Sequence, residues 1–132
     1  MKQRLLAIVC GFAVQLAGLL LIHSVWLKAD YLATAGIWRP MAEQTARAWA
    51  MLLSILVYAI AAVLLYKPGP KSEPVWKRGL SFGVLLAMAV VVYGSLSGWV
   101  ILPLPHLLVA KWIVGEGLLS CIFGVVVAAI VR

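Results

Sequence analysis

Ionisable side chains stand inside apolar stretches of this chain, where they could bind a polar ligand or carry a proton. Glu116 lies ten residues into the apolar run that follows Pro105. On a helix that spacing corresponds to a depth of roughly 15 Å, near the middle of a membrane. An acidic group there costs about 2.5–3.5 kcal/mol, so Glu116 must be paired, hydrated or protonated.

Other polar residues are expected at a similar depth or nearer the outer surface. Together with Glu116 they form the predicted binding site: Gln15, His23, Tyr58, Tyr93, His106, Lys111 and Glu116. We expect a polar cleft that opens at the outer side and leads down to Glu116, where it would accept a cation, a proton or a polar headgroup. The alternative is that Glu116 and Gln15 only hold helices together, at about 0.6–2 kcal/mol per contact.

The two histidines raise the alternative of a haem or metal site. Imidazole is a good ligand for haem iron, zinc and copper. However, neither His23 nor His106 belongs to a closely spaced ligand pair, and no second carboxylate or thiolate is expected at their level. Cys10 and Cys121 lie inside apolar runs and form no CxxC pair. The sequence therefore predicts no metal and no cofactor.

The elements that must position these residues are hydrophobic helices. Of 132 residues, 65% are hydrophobic and 11% are charged, whereas a soluble domain has about one quarter charged residues. Spanning a bilayer takes about 20 apolar residues, and the sequence offers four such runs, at about 5–27, 48–66, 80–102 and 107–131. Pro103 and Pro105 separate the last two. We predict an all-α integral membrane protein, a single domain (1–132) folded as an antiparallel bundle of four transmembrane helices.

Basic residues predict the orientation of the bundle. With the N-terminus inside, the cytoplasmic side holds seven Lys and Arg residues and the outer side three. This bias favours both termini in the cytoplasm of a cell (inner) membrane, with a cytoplasmic loop at 67–79 and an outer loop at 28–47. The net charge of +7 is then explained by topology and by anionic lipid, and no nucleic-acid partner is expected.

The outer loop and the N-terminus carry two further expectations. Pro40 at a first helical position predicts that the second helix projects about two turns beyond the membrane, with Glu43 and Arg47 paired at a spacing of four residues. Lys2 and Arg4 before an apolar run also resemble a signal peptide. The run is longer than the usual 7–15 residues, so we expect it to be retained as a span.

Rows of small residues predict close helix packing, within one chain or between two. Gly11 and Gly18 flank Gln15 on one face, and the last run carries the rows Gly117, Cys121, Gly124 and Ser120, Gly124, Ala128. Such rows let helix backbones approach each other. They make a homo-oligomer or a larger membrane-protein partner plausible hypotheses, with the lipid bilayer as the surrounding partner.

No catalytic motif is present, so the chain is not expected to be an enzyme. The leading hypothesis is an accessory or binding protein that acts through helix–helix contacts. The first alternative is a small oligomeric transporter or channel that uses Glu116 for proton or cation coupling. The second is a haem-, metal- or lipid-binding membrane protein that uses His23 and His106.

Overall fold

The computed structural model describes residues 1–70 and 72–131, and the elements assigned in them are helices. They are α1 (Lys2–Trp26), α2 (Lys28–Ala33), α3 (Met41–Ala46), α4 (Ala48–Leu65), α5 (Val75–Ile101) and α6 (His106–Ile130), with a short 3-10 helix, Ala35–Ile37, between α2 and α3. The four longer helices, α1, α4, α5 and α6, are each long and apolar enough to cross a membrane. The predicted all-helical fold with four candidate spans is thereby confirmed.

The bundle has two different ends. At one end α1 and α5 finish and α4 and α6 begin, and the short helices α2 and α3 lie there; we call it the α2 end. The opposite end carries Met1, Val131 and the connection between α4 and α5, and we call it the terminus end. The turn 102–105 at the α2 end contains Pro103 and Pro105, as expected, because Leu102 is extended and α6 starts at His106.

Helix α6 forms the middle of the bundle, with α1 and α5 packed against it and α4 packed against α1. Helices α1 and α6 are antiparallel, since Gly11 of α1 contacts Phe123 of α6 while the later Gly18 contacts the earlier Leu119. Phe123 itself has no exposed surface. The small-residue face of α1 is therefore used inside the chain.

The α5–α6 contact is closer still, because backbone lies directly against backbone. A Cβ atom placed on Gly83 would lie 2.5 Å from both Cys121 Cα and Ser120 O. A Cβ atom on Gly124 would lie 2.7 Å from Gly83 N. Only glycine fits such an approach, so two of the predicted small-residue rows also form a seam within one chain.

Two helix boundaries differ from the sequence-based expectation. Helix α5 begins at Val75, inside the segment predicted as loop, because Pro74 is a favourable residue just before a helix and Lys77 and Arg78 are tolerated in its first turns. The extension of the second helix is a separate short helix, α3. Pro40 occupies the N-cap position of α3. The chain bends at Arg47, between α3 and α4, where φ is −104° and ψ is 5°.

Candidate functional site

The last six residues of α1, Leu21–Trp26, form a π-helix that brings His23 against α6. There His23 Nε2 lies 3.2 Å from Glu116 Oε1. The Trp26 ring packs at Gly115, where an added Cβ atom would lie 2.8 Å from it. Glu116 is therefore ten residues from the start of α6 but level with the last turns of α1. Single-turn π segments recur at functional sites because they redirect side chains in this way.

Tyr31 of α2 connects His23 to Trp112. Trp112 Nε1 donates a hydrogen bond of 2.7 Å to the Tyr31 hydroxyl, and that hydroxyl is bonded to His23 Nδ1 at 2.5 Å. Burial raises the pKa of Tyr31 to about 12, so its hydroxyl is protonated at neutral pH. Since the hydroxyl accepts from Trp112, its own proton is directed at His23 Nδ1. In the neutral form of His23 the proton then lies on Nε2, the nitrogen nearest to Glu116.

A second polar contact fixes α2 to α6. Lys111 Nζ lies 2.8 Å from both carboxylate oxygens of Asp30. The two side chains are 31% and 23% exposed, so the pair is partly shielded from solvent. Trp38 extends the contact by stacking edge-on to Tyr31, with ring centroids 5.3 Å apart. The Asp30–Lys111 and Tyr31–Trp112 contacts hold α2 over the end of α1, and we call them, with His23 and Glu116, the α2 network.

Glu116 also faces a cavity of about 270 Å³ between the four long helices. Its polar lining residues are Gln15, Ser54, Tyr58, Glu116 and Ser120. Gln15 is 6% exposed and Ser120 is 2% exposed. The Tyr58 hydroxyl is buried close to Gln15 and Ser120, but it makes no hydrogen bond of good geometry among the described residues. A buried hydroxyl without a well-formed hydrogen bond is destabilising, so a polar ligand group in the cavity would improve on the contacts that the chain provides.

The exposed residues that line the cavity lie on α4 and α5. Near the terminus end these helices meet at Tyr66 and Phe82, whose ring centroids are 5.1 Å apart. Ser54 of α4 and Val90 of α5 both line the cavity and are both exposed. An opening at this position would admit a molecule from the surrounding lipid if the helices lie in a membrane.

The structure brings together five of the seven residues predicted as a binding site. His23, Lys111 and Glu116 belong to the α2 network, while Gln15 and Tyr58 line the cavity below it. The other two lie apart: Tyr93 is 72% exposed on α5, and His106 is exposed at the first residue of α6. A binding role remains a prediction for all seven.

Sequence reasoning missed Asp30, Tyr31 and Trp112, and it assigned Ser120 to packing alone. The sequence did contain one indication of Asp30, because the chain has only four acidic residues. Two of these, Asp30 and Glu43, are in the predicted outer loop, where a partner for Lys111 was needed. No comparable signal distinguishes Tyr31 or Trp112 from other interfacial aromatic residues.

No cluster of three potential metal ligands from His, Cys, Asp and Glu occurs within residues 1–70 and 72–131. In comparisons with known proteins, no family model, no curated protein and no solved structure matched the chain. Its function is therefore argued from the geometry of the α2 network and the cavity.

Proposed function

We propose that this protein binds an amphipathic small molecule, with the polar group of the ligand in the cavity and its apolar part between α4 and α5. The observation that carries the proposal is the Tyr58 hydroxyl, which is buried at the cavity and makes no hydrogen bond of good geometry among the described residues. Gln15 and Ser120 lie beside it, so a ligand hydroxyl, amide or ester would find both donors and acceptors.

The size of the cavity supports a headgroup rather than a whole drug-sized ligand. About 270 Å³ is just below the usual range of about 300–1,000 Å³ for small-molecule pockets. The exposed apolar residues of α4 and α5 beside the opening, including Leu53 and Val90, suit the alkyl part of the ligand. A lipid or a lipid-like metabolite combines both features.

The proposal also includes a membrane location and an orientation. We place the four long helices across a cell membrane with both termini in the cytoplasm, on the basis of their length and of the seven basic residues against three. The α2 network then lies at the outer surface, and the cavity opens into the outer half of the bilayer.

Photo-crosslinking tests the proposal directly. The full-length protein in nanodiscs is incubated with a long-chain monoacylglycerol that carries a diazirine in its acyl chain, and labelled peptides are mapped by mass spectrometry. We expect saturable labelling of α4 and α5 near Ser54 and Val90, competed by the unlabelled monoacylglycerol.

Gln15→Leu removes a polar group from the cavity and should reduce competed labelling about three- to tenfold, the loss of one hydrogen bond. Gln3→Leu is the matched control, because Gln3 is exposed on the same helix. Labelling that is spread along the helices, or equal in the two variants, would contradict a defined binding site.

A second candidate function is proton- or cation-coupled transport. The observation that favours it is the position of Glu116, which contacts His23 at 3.2 Å and also lines the cavity. One carboxylate thus stands between a titratable group and the cavity, as coupling would require. In proteoliposomes, Glu116→Gln should abolish a substrate-driven proton flux while leaving the fold intact; absence of any such flux in the wild type would remove this candidate.

The accessory role favoured on sequence grounds stays a prediction. Its support was short loops, no soluble domain and faces of small residues. Of those faces, Gly11, Gly18, Gly83 and Gly124 are occupied by contacts within the chain. A partner helix or a second copy of the chain would have to use other surfaces, such as the exposed side of α4.

A further inference from the structure

A second cavity, of about 220 Å³, lies at the terminus end under the loop that joins α4 to α5. Its lining includes the cationic side chains Lys67 and Arg78, the hydroxyl residues Tyr66 and Ser81, and one carboxylate, Glu73. This cavity shares no lining residue with the one beside Glu116. A ligand in this cavity would therefore contact none of the residues that line the other one.

Two donors at this cavity are left without a partner. Tyr66 is only 3% exposed, and its hydroxyl has no hydrogen-bond partner among the described residues. The same holds for Arg78 Nε, which is also buried. A guanidinium nitrogen can only donate, and a phenol hydroxyl needs an acceptor for its proton. The group that would satisfy both atoms is an acceptor, and an anionic oxygen is the strongest one.

The guanidinium group of Arg78 is already held in place. Its Nη1 donates to the carbonyl oxygens of Gly69 at 2.9 Å and Pro70 at 3.4 Å. These bonds tie the loop to the first turn of α5 and keep Nε directed inward. A preoriented guanidinium group loses less side-chain entropy when it binds an anion.

The charges around the cavity also favour an anion. Lys67 and Arg78 outnumber the single carboxylate of Glu73 in the lining. Glu73 is itself drawn toward Lys77, at 3.8 Å. Lys2 and Arg4 are exposed at the same end of the bundle, so the surroundings are basic as well. Clusters of basic residues beside a membrane span typically bind anionic headgroups.

We propose that this cavity is a binding site for a phosphate group, with Lys67 and Arg78 providing charge and the Tyr66 hydroxyl donating a hydrogen bond. Either an anionic phospholipid or a soluble phosphate could supply that group. The two unpartnered atoms are buried, so the phosphate reaches them when the neighbouring side chains that line the cavity rearrange. Binding should thus change the environment of Trp76, which is exposed just after the loop.

The experiment uses the full-length protein purified in a neutral detergent. Native mass spectrometry follows a titration with phosphatidylglycerol, with phosphatidylcholine as the zwitterionic lipid for comparison, and calorimetry follows a titration with inorganic phosphate. We expect saturable one-to-one binding of phosphatidylglycerol in preference to phosphatidylcholine, together with a shift in tryptophan fluorescence that is absent in Trp76→Phe. Binding of inorganic phosphate with no lipid preference would support the site with a soluble source instead.

Four variants distinguish a site from general surface charge. Tyr66→Phe keeps the ring against Phe82 and should weaken binding about three- to tenfold, as expected for one hydrogen bond. Lys67→Gln should weaken it about threefold or more. Glu73→Gln should tighten it, because it removes the only carboxylate of the lining. Lys2→Gln removes a charge from the same end but outside the cavity, and should change little.

Two results would overturn the proposal. One is a wild-type protein that binds neither phosphatidylglycerol nor inorganic phosphate. The other is an equal loss of binding affinity in Lys2→Gln and Lys67→Gln, with no effect of Tyr66→Phe. That result would mean that the lipid is held only by general electrostatic attraction to basic residues at this end. Gln15→Leu should leave this binding unchanged, so a failure here is separable from a failure of the cavity near Glu116.

Discussion

The α5–α6 seam and the α2 network hold the same helix, α6, by opposite means. At the seam, Gly83 and Gly124 let two backbones touch, and no side chain lies between them. At the network, contact is made by polar side chains that lie 81 positions apart along the chain, as in Lys111 with Asp30. Close packing depends on shape alone, whereas the network depends on charge, protonation and the docking of a short helix.

The largest expected effect comes from filling the seam. Gly124→Ala places a methyl group against the backbone of α5, with Gly83 N at 2.7 Å and no flexible side chain that could yield. We expect a loss of about 2–3 kcal/mol in the free energy of unfolding, measured by reversible denaturation in mixed micelles.

Gly98→Ala is the control for this substitution, because Gly98 lies on α5, the other helix of the seam, and nothing lies within 4 Å of its added Cβ atom. Its stability should be unchanged or slightly higher, since alanine is the better helix former. If the two variants were equally stable, the seam would not be the rigid part of the molecule.

Breaking the ion pair of the network should have an intermediate effect. Asp30→Asn leaves Lys111 without its partly shielded partner, and we expect a loss of about 1–2 kcal/mol, between the values for exposed and buried pairs. The loss should be local, with faster amide hydrogen exchange in α2 and unchanged exchange along the seam. Glu43→Gln removes one carboxylate of an exposed pair and should cost about 0.5 kcal/mol or less.

Alkaline pH should release the network without any substitution. The pKa of Tyr31 is raised from 10.0 to about 12, so the folded state keeps this proton where the unfolded chain loses it. The stabilisation is complete below pH 10 and is lost as pH rises toward about 12. We expect tyrosinate absorbance and Trp112 fluorescence to change together in that range.

Tyr31→Phe serves as the comparison in that titration, because it should abolish the alkaline step. At neutral pH it should cost about 1 kcal/mol through the lost bonds to Trp112 and His23. An alkaline step of the same size in this variant would assign the titration to another group.

The smallest effect on stability is expected at the cavity. Gln15→Leu replaces a buried amide with an apolar side chain of similar size, and in a ligand-free preparation the free energy of unfolding should change by about 0.6 kcal/mol or less. A loss of several kcal/mol would show instead that Gln15 holds helices together, which is the structural alternative to a binding site.

Local sequence determined the helices, because length, hydropathy and proline placement act over a few residues. The four long helices, the turn at Pro103 and Pro105, and the pairing of Glu43 with Arg47 at 3.0 Å all follow from such signals. The cost of a carboxylate in an apolar run likewise singled out Glu116 before any contact was known.

Tertiary structure decided which polar groups meet. Depth along each helix predicted that Tyr93 and His106 would join the site, but the rotation of a helix about its axis is set by packing. Gly83 and Gly124 fix α5 against α6 in the orientation that leaves Tyr93 exposed. The short helix α2 folds back over His23 only because Asp30 and Tyr31 find partners on α6. Such pairings between distant positions leave no periodic signal in the sequence.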